Sequence, residues 1–188
     1  MKKLLYTFLT VSIIFSSCEE ESTPAPASNN NSNTNLSIGD NYQGGIIFYL
    51  NANGGGLIAA PSDQSANTEW GCMGTEISGA DETGIKAGYQ NTIDIESECN
   101  DIGTAADICA NLALNGYSDW YLPSLNELNQ MFLFKNDIGG FANDYYWSST
   151  ETDALQATRL DFTHGQEDTG KAYKSNSHSV RAIRAFNN

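Results

Sequence analysis

Apolar positions in this chain change their period several times, and those changes divide it into elements. Gly44 to Leu50 (GGIIFYL) is a short apolar run bounded by glycines, the pattern of a buried strand. Asn51 to Gly56 (NANGGG) tolerates positive φ and Leu57 to Ala60 returns apolar, which predicts a hairpin. Trp70 to Gly88, rich in Gly, Thr, Ser and acids, predicts a long ordered loop. Asn91 to Cys99 and Thr104 to Leu114 predict helices. The second carries Ala105, Ile108, Cys109 and Leu112 on one stripe and ends at Gly116 as at a C-cap.

The strongest local signal is GYSDWYLPSLNELNQMF, residues 116–132. DWYL predicts a strand, and Pro123 holds Leu122 extended. Ser124 then stands at a helix N-cap with Glu127 three residues on, an S-x-x-E capping box. Leu125, Leu128 and Phe132 follow at helical spacing, and the helix should stop before Gly139-Gly140. Trp120 anchors this corner; Leu122, Leu128 and Trp147 join it as expected core. Tyr145 to Thr150 predicts an aromatic, hydroxyl-rich strand. Thr158, Leu160 and Phe162 alternate with Arg159, Asp161 and Thr163, a half-buried strand. Gly165 to Gly170 predicts a turn, and Ser179 to Phe186 a closing strand whose VRAIRA stretch breaks the alternation as a bulge would. Strands, then helices, then strands predict an α+β fold, without internal repeats.

The N-terminus follows another pattern. Lys2 and Lys3 precede a mostly apolar run, Leu4 to Phe15, too short to span a bilayer, and Phe15-Ser16-Ser17-Cys18 closes it. This resembles a bacterial lipoprotein signal over residues 1–17, which implies acylation of Cys18 and a membrane partner through that lipid. Glu19 to Asn35 holds no apolar residue larger than alanine or proline and predicts a disordered linker, assigned to 18–38 with the acylated cysteine. As a flexible chain it would reach roughly 20–25 Å. The acidic triplet Glu19-Glu20-Glu21 resembles surface-export signals of Bacteroidetes lipoproteins, which implies an outer-membrane lipoprotein exposed on the cell surface. Residues 39–188 are left for a single domain with its own core.

Charge narrows the partners. The net charge is −14, from 9 cations and 23 acids; losing Lys2 and Lys3 with the signal gives 7 − 23 = −16. Nucleic acid is therefore excluded as an expected partner. Between residues 39 and 134 Lys86 is the lone cation, against 13 acids, whereas Lys135 onward holds six cations and seven acids. The pattern is that of a solvated acidic surface beside a near-neutral face.

Four blocks in order, GGIIFYL, GYSDWYLPSLNEL, GGFANDYYWSSTE and SVRAIRAF, resemble the C-terminal domain family of the Legionella collagen-like adhesin. That family is similar to C-type-lectin-like domains. The resemblance implies two or three helices around a twisted antiparallel sheet, with termini close together. It also implies extracellular binding or adhesion, often to polysaccharide, and no catalysis or cofactor. Arg181 and Arg184 are expected to pair with buried acids such as Asp119, with binding of an anionic polymer as the alternative.

Catalytic and metal patterns are weak. His164 and His178 stand beside no persuasive nucleophile, and there is no G-x-S-x-G elbow. A calcium loop starting at Asp94 would put Cys99 and Ala105 where Gly and Glu are needed, so no metal site is assigned. Formylglycine-generating enzymes, similar in fold, depend on a cysteine pair near the chain end, and no cysteine follows Cys109 here. No C-x-x-C spacing suggests zinc. Export favours a disulfide; Cys109 lies on an apolar stripe, so Cys72 in a loop and Cys99 at a helix end are the expected pair. Tyr145, Glu151, Asp153 and Gln156, near the later loops, are candidate ligand residues for a glycan or a surface protein. An enzyme and a purely structural partner of another surface protein are the alternatives.

Overall fold

The computed structural model describes residues 35–187, so the signal, Cys18 and most of the linker fall outside the described residues. In chain order the elements are β1 (Asn41–Tyr42), β2 (Gly45–Leu50), β3 (Gly56–Ala59), β4 (Ser65–Glu69), α1 (Ala87–Glu98), α2 (Ala105–Ala110), α3 (Leu125–Leu133), α4 (Lys135–Ile138), β5 (Tyr145–Glu151), β6 (Gln156–Asp161), β7 (Gly165–Tyr173), β8 (Ser177–Val180) and β9 (Ile183–Phe186). They form an α+β fold with two sheets, ordered β1-β2-β3-β9 and β4-β8-β5-β6-β7. The first is antiparallel; in the second, β5 and β8 run parallel at Tyr146↔Ser179. Leu36 and Ile38 already pack against the core, so the fold begins ahead of residue 39.

The expected β2–β3 hairpin forms, with Ile47 opposite Ile58. Two core clusters result. One gathers Trp70, Ile95, Cys109, Trp120, Leu122, Trp147 and Val180. The other gathers Phe48, Leu57, Leu128, Met131, Tyr146, Leu160 and Ile183. Sequestering these large side chains from water is the main force holding the sheets and helices together. Trp70 and Trp147 are fully buried and still satisfied: their indole N–H groups donate to the Ser148 and Thr68 carbonyls at 2.9 and 2.8 Å. Tyr42 on β1 and Phe186 on β9 meet ring to ring at 5.1 Å, bringing the two ends of the domain together.

The sequence expectations need correction in several places. The expected α+β fold is built, among the described residues, of four helices and two sheets, and β1 and β4 had no clear signal. DWYL is not a sheet strand: only Tyr121 pairs, as an isolated bridge to Ile183. Gly165 to Gly170 is strand, part of β7, because the turn is made earlier. There Asp161 accepts the Thr163 N–H at 2.6 Å and pairs with His164 at 2.7 Å. The closing stretch is two strands in different sheets rather than one bulged strand. The chain crosses at Arg181, whose guanidinium bonds Asp63 (2.6 Å) and the carbonyls of Ala60 (2.9 Å) and Gly140 (2.7 Å). Side-chain bonds there take the place of a continuous ladder.

Cys72 and Cys99 form a disulfide with Cα atoms 5.6 Å apart, and Cys109 is a free, buried thiol. The bridge ties the start of the long loop to the C-cap of α1.

Candidate ligand groove at the Trp120 corner

The corner is assembled by a few polar side chains inside an apolar shell. Tyr121 exchanges backbone bonds with Ile183 at 2.8 and 3.0 Å. The Thr92 hydroxyl on α1 accepts the Leu122 N–H at 3.1 Å, and the Pro123 carbonyl accepts the Ser149 N–H at 2.8 Å. Ser124 caps α3: its hydroxyl accepts the Glu127 N–H at 3.3 Å and donates to the Gly84 carbonyl at 2.7 Å. Glu127 completes the capping box by accepting the Ser124 N–H at 2.8 Å, as its spacing predicted.

Glu127 does more than cap its own helix. Fully buried, it also accepts the N–H groups of Lys86 (2.8 Å) and Gly88 (3.2 Å) and the Tyr121 hydroxyl (3.4 Å). Burial pushes its pKa up, and the bonds from Ser124, Lys86 and Gly88 pull against that shift. A β-carbon on Gly88 would lie 2.3 Å from the Glu127 carboxylate and 2.7 Å from the Leu122 carbonyl, so that position has room only for glycine. The start of α1 is thereby locked to the start of α3.

Outside this lock lies an open groove. The outer face of α1, with Tyr89, Ile93, Glu96 and Ser97, forms one wall and Ser118 to Tyr121 the other, enclosing 580 Å³. Across Tyr89, Asp119 and Tyr121 it adjoins a second hollow of 400 Å³ beside Lys86 and Phe186. Tyr89 is 53% exposed and meets Tyr121 edge-on at 5.7 Å. Asp119 is half exposed, its carboxylate held by Arg184 Nε at 2.7 Å and Nη2 at 2.8 Å. Those bonds hold its pKa below the usual carboxylate range. Arg184 also donates to the Gln43 carbonyl at 3.1 Å and lies over the Tyr117 ring at 4.0 Å. Glu96 is shifted the other way, upward, by burial and then by Asp107.

Sequence reasoning missed this groove because the helix was read as starting at Asn91, leaving Tyr89 out. The available signal was Tyr89, Ile93 and Glu96 at i, i+4 and i+7, an outward helical stripe.

The residues nominated from sequence are placed elsewhere, and they do not form one face. Glu151 is buried, ion-paired with the buried Lys174, and accepts the Ile77 N–H at 3.0 Å. Burial raises its pKa against the pull of Lys174. Asp153 shapes the β5–β6 turn by accepting the N–H groups of Leu155 (2.8 Å) and Gln156 (2.9 Å), and Gln156 opens β6. Tyr145 begins β5, the far end of the strand from Glu151, roughly 20 Å away at strand rise. It lies 3.5 Å from the Arg159 guanidinium and 5.6 Å from the His178 ring. Arg181 and Arg184 both enter ion pairs, with Asp63 and Asp119. His178 packs on Trp147 at 4.5 Å, and burial, then Arg159, lowers its pKa to about 4. Cys72, Cys99 and Asp101 lie within metal-ligand distance of one another, but the two sulfurs are joined and Asp101 accepts the Cys72 N–H at 2.7 Å.

Two sheets, a capped corner and a groove beside it define an α+β domain. Residues 60–184 match the model of the Lcl C-terminal domain, and the chain belongs to that family. Among solved structures it is similar to a fimbrial protein from Bacteroides ovatus, with 14% identity and a TM-score of 0.50. The match covers 80% of this chain but 45% of that one, so this chain spans less than half of the fimbrial protein and shares its fold alone. No curated protein matches the sequence.

Proposed function

We propose that the protein is a non-catalytic recognition module, held on the outer surface of a bacterial outer membrane by a lipid on Cys18. It binds an extracellular glycan or surface protein through the groove beside Trp120. The observation that carries this reading is membership in the Lcl C-terminal domain family over residues 60–184, which the sequence resemblance connects with an adhesin. The likeness in fold to a fimbrial protein accords with it. The groove supports this placement: it presents a half-exposed tyrosine and a fixed carboxylate, whereas Glu127, Glu151 and Arg181 are engaged internally. No helix among the described residues is long and apolar enough to cross a membrane.

The test is adhesion by cells that display the full chain, compared with a strain deleted for it. Display should increase attachment to immobilised extracellular polysaccharide or to partner cells. Equal attachment by both strains, with the chain verified at the surface, would refute the recognition reading.

A further inference from the structure

We propose that the groove between α1 and Ser118–Tyr121 binds an uncharged saccharide, with a sugar ring packed on Tyr89 and its hydroxyls donating to Asp119 and Glu96. It discriminates against sulfated and carboxylated glycans. This rests on the recognition reading above and deepens it.

Shape comes first. The 580 and 400 Å³ hollows meet at Tyr89, Asp119 and Tyr121, and each lies in the range of small-ligand sites. Two joined hollows suit a short chain of rings better than a single compact molecule. Apolar matter lies along the path: Tyr89 is 53% and Ile93 42% exposed. A tyrosine gives a large contact area at low conformational cost, and the edge contact with Tyr121 restricts this ring further.

Charge selects the ligand. Asp119 is an ionised acceptor whose charge is already balanced by Arg184. A carboxylate has about four lone-pair sites, and Arg184 occupies two. The remaining sites accept neutral O–H donors without calling for a second cation. A sulfate or uronate would instead face Asp119 and Glu96 on a chain of net charge −14, with Lys86 as the cation at the far hollow.

Rigidity is the independent observation. The helix bearing Tyr89, Ile93 and Glu96 is fixed at its N-terminus by the Gly88–Glu127 contact and at its C-cap by the Cys72–Cys99 bridge. The opposite wall is fixed by the Tyr121–Ile183 bonds and the Arg184–Asp119 pair. Both walls are thus held before any ligand arrives, which lowers the ordering cost of binding.

The experiment presents the full chain to an array of neutral hexose and N-acetylhexosamine oligosaccharides alongside heparin fragments, followed by titration of the best neutral hit. Binding of a neutral oligosaccharide and not of heparin is expected. Tyr89→Ala should weaken it about tenfold or more, and Ser97→Trp, which fills the groove from an exposed position, should abolish it. Tyr173→Ala, which removes an exposed tyrosine on β7, should leave it unchanged. Melting curves for each variant separate loss of ligand from loss of fold. Silence on the neutral panel, binding confined to heparin, or neutral binding indifferent to both groove variants would overturn the proposal. If displaying cells still adhere after any of these results, the ligand class fails and the recognition reading stands.

Discussion

Glu127 is where four donors from two segments, 86–88 and 121–124, converge on one buried carboxylate. Removing it strips Lys86, Gly88, Ser124 and Tyr121 of a partner at once. Glu127→Ala is therefore expected to cost about 3 kcal/mol or more, well above the roughly 1 kcal/mol of a simple cap; chemical denaturation measures it. Gly88→Ala pushes a methyl into the same carboxylate and should cost about 1–3 kcal/mol by overpacking. His178 supplies the pH signature. Its folded pKa of about 4 lies below the unfolded value near 6.5, so the folded state resists its protonation. Stability contributed by neutral His178 is full above pH 6.5 and lost as pH falls toward 4. Allowing for solvent screening, the loss is about 1–2 kcal/mol. Glu127 and Glu151 act in the opposite sense, because raised carboxyl pKa values favour the fold at low pH and weaken it as pH rises through them. The readout is thus the difference between wild type and His178→Gln across pH 4–7. A constant difference would show that His178 carries no such penalty.

Among the elements, those written in neighbouring residues were legible and those completed by distant ones were not. The capping box at Ser124 and Glu127 spans three residues, so spacing alone located the start of α3. The β2–β3 hairpin was equally local. The break between β8 and β9 was not, because the acid that receives Arg181 lies 118 residues away at Asp63. Tyr145 and Glu151 were nominated for surface chemistry by type, yet Glu151 answers the buried cation of Lys174 and is turned inward. The groove went unseen because its walls, α1 and Ser118–Tyr121, meet only in the folded chain. Three expectations belong at this scale. Trp120 is 2% exposed in the core cluster, and Trp120→Ala should cost about 3–5 kcal/mol. Replacing Cys72 and Cys99 together by serine releases a link across 27 residues and should cost about 3–4 kcal/mol. In both states of that bridge the Cys109 thiol, whose pKa burial raises, should resist alkylation until the protein unfolds.

At the scale of the whole molecule, the acidic surface and the proposed tether go together. A chain with net charge −14 keeps clear of other acidic surfaces, and the reading of Cys18 as lipidated implies that Cys18→Ser moves the protein from the membrane to the soluble fraction. Unchanged fractionation and acyl labelling would remove the tether from the account. The crossing at Arg181 has a consequence in time. The first sheet is finished only when β9 lies beside β3, and Arg184 must find Gln43 across 141 residues of chain. In a chain exported as proposed, β1, β2 and β3 lack their last neighbour and the Trp120 corner lacks Ile183 while the polypeptide is still being threaded across the membrane. Nothing upstream can settle into a finished domain early, because contacts so remote in sequence form late and slowly. A chain exported as proposed would therefore stay pliable during passage and acquire its shape only after the downstream strands have arrived on the far side.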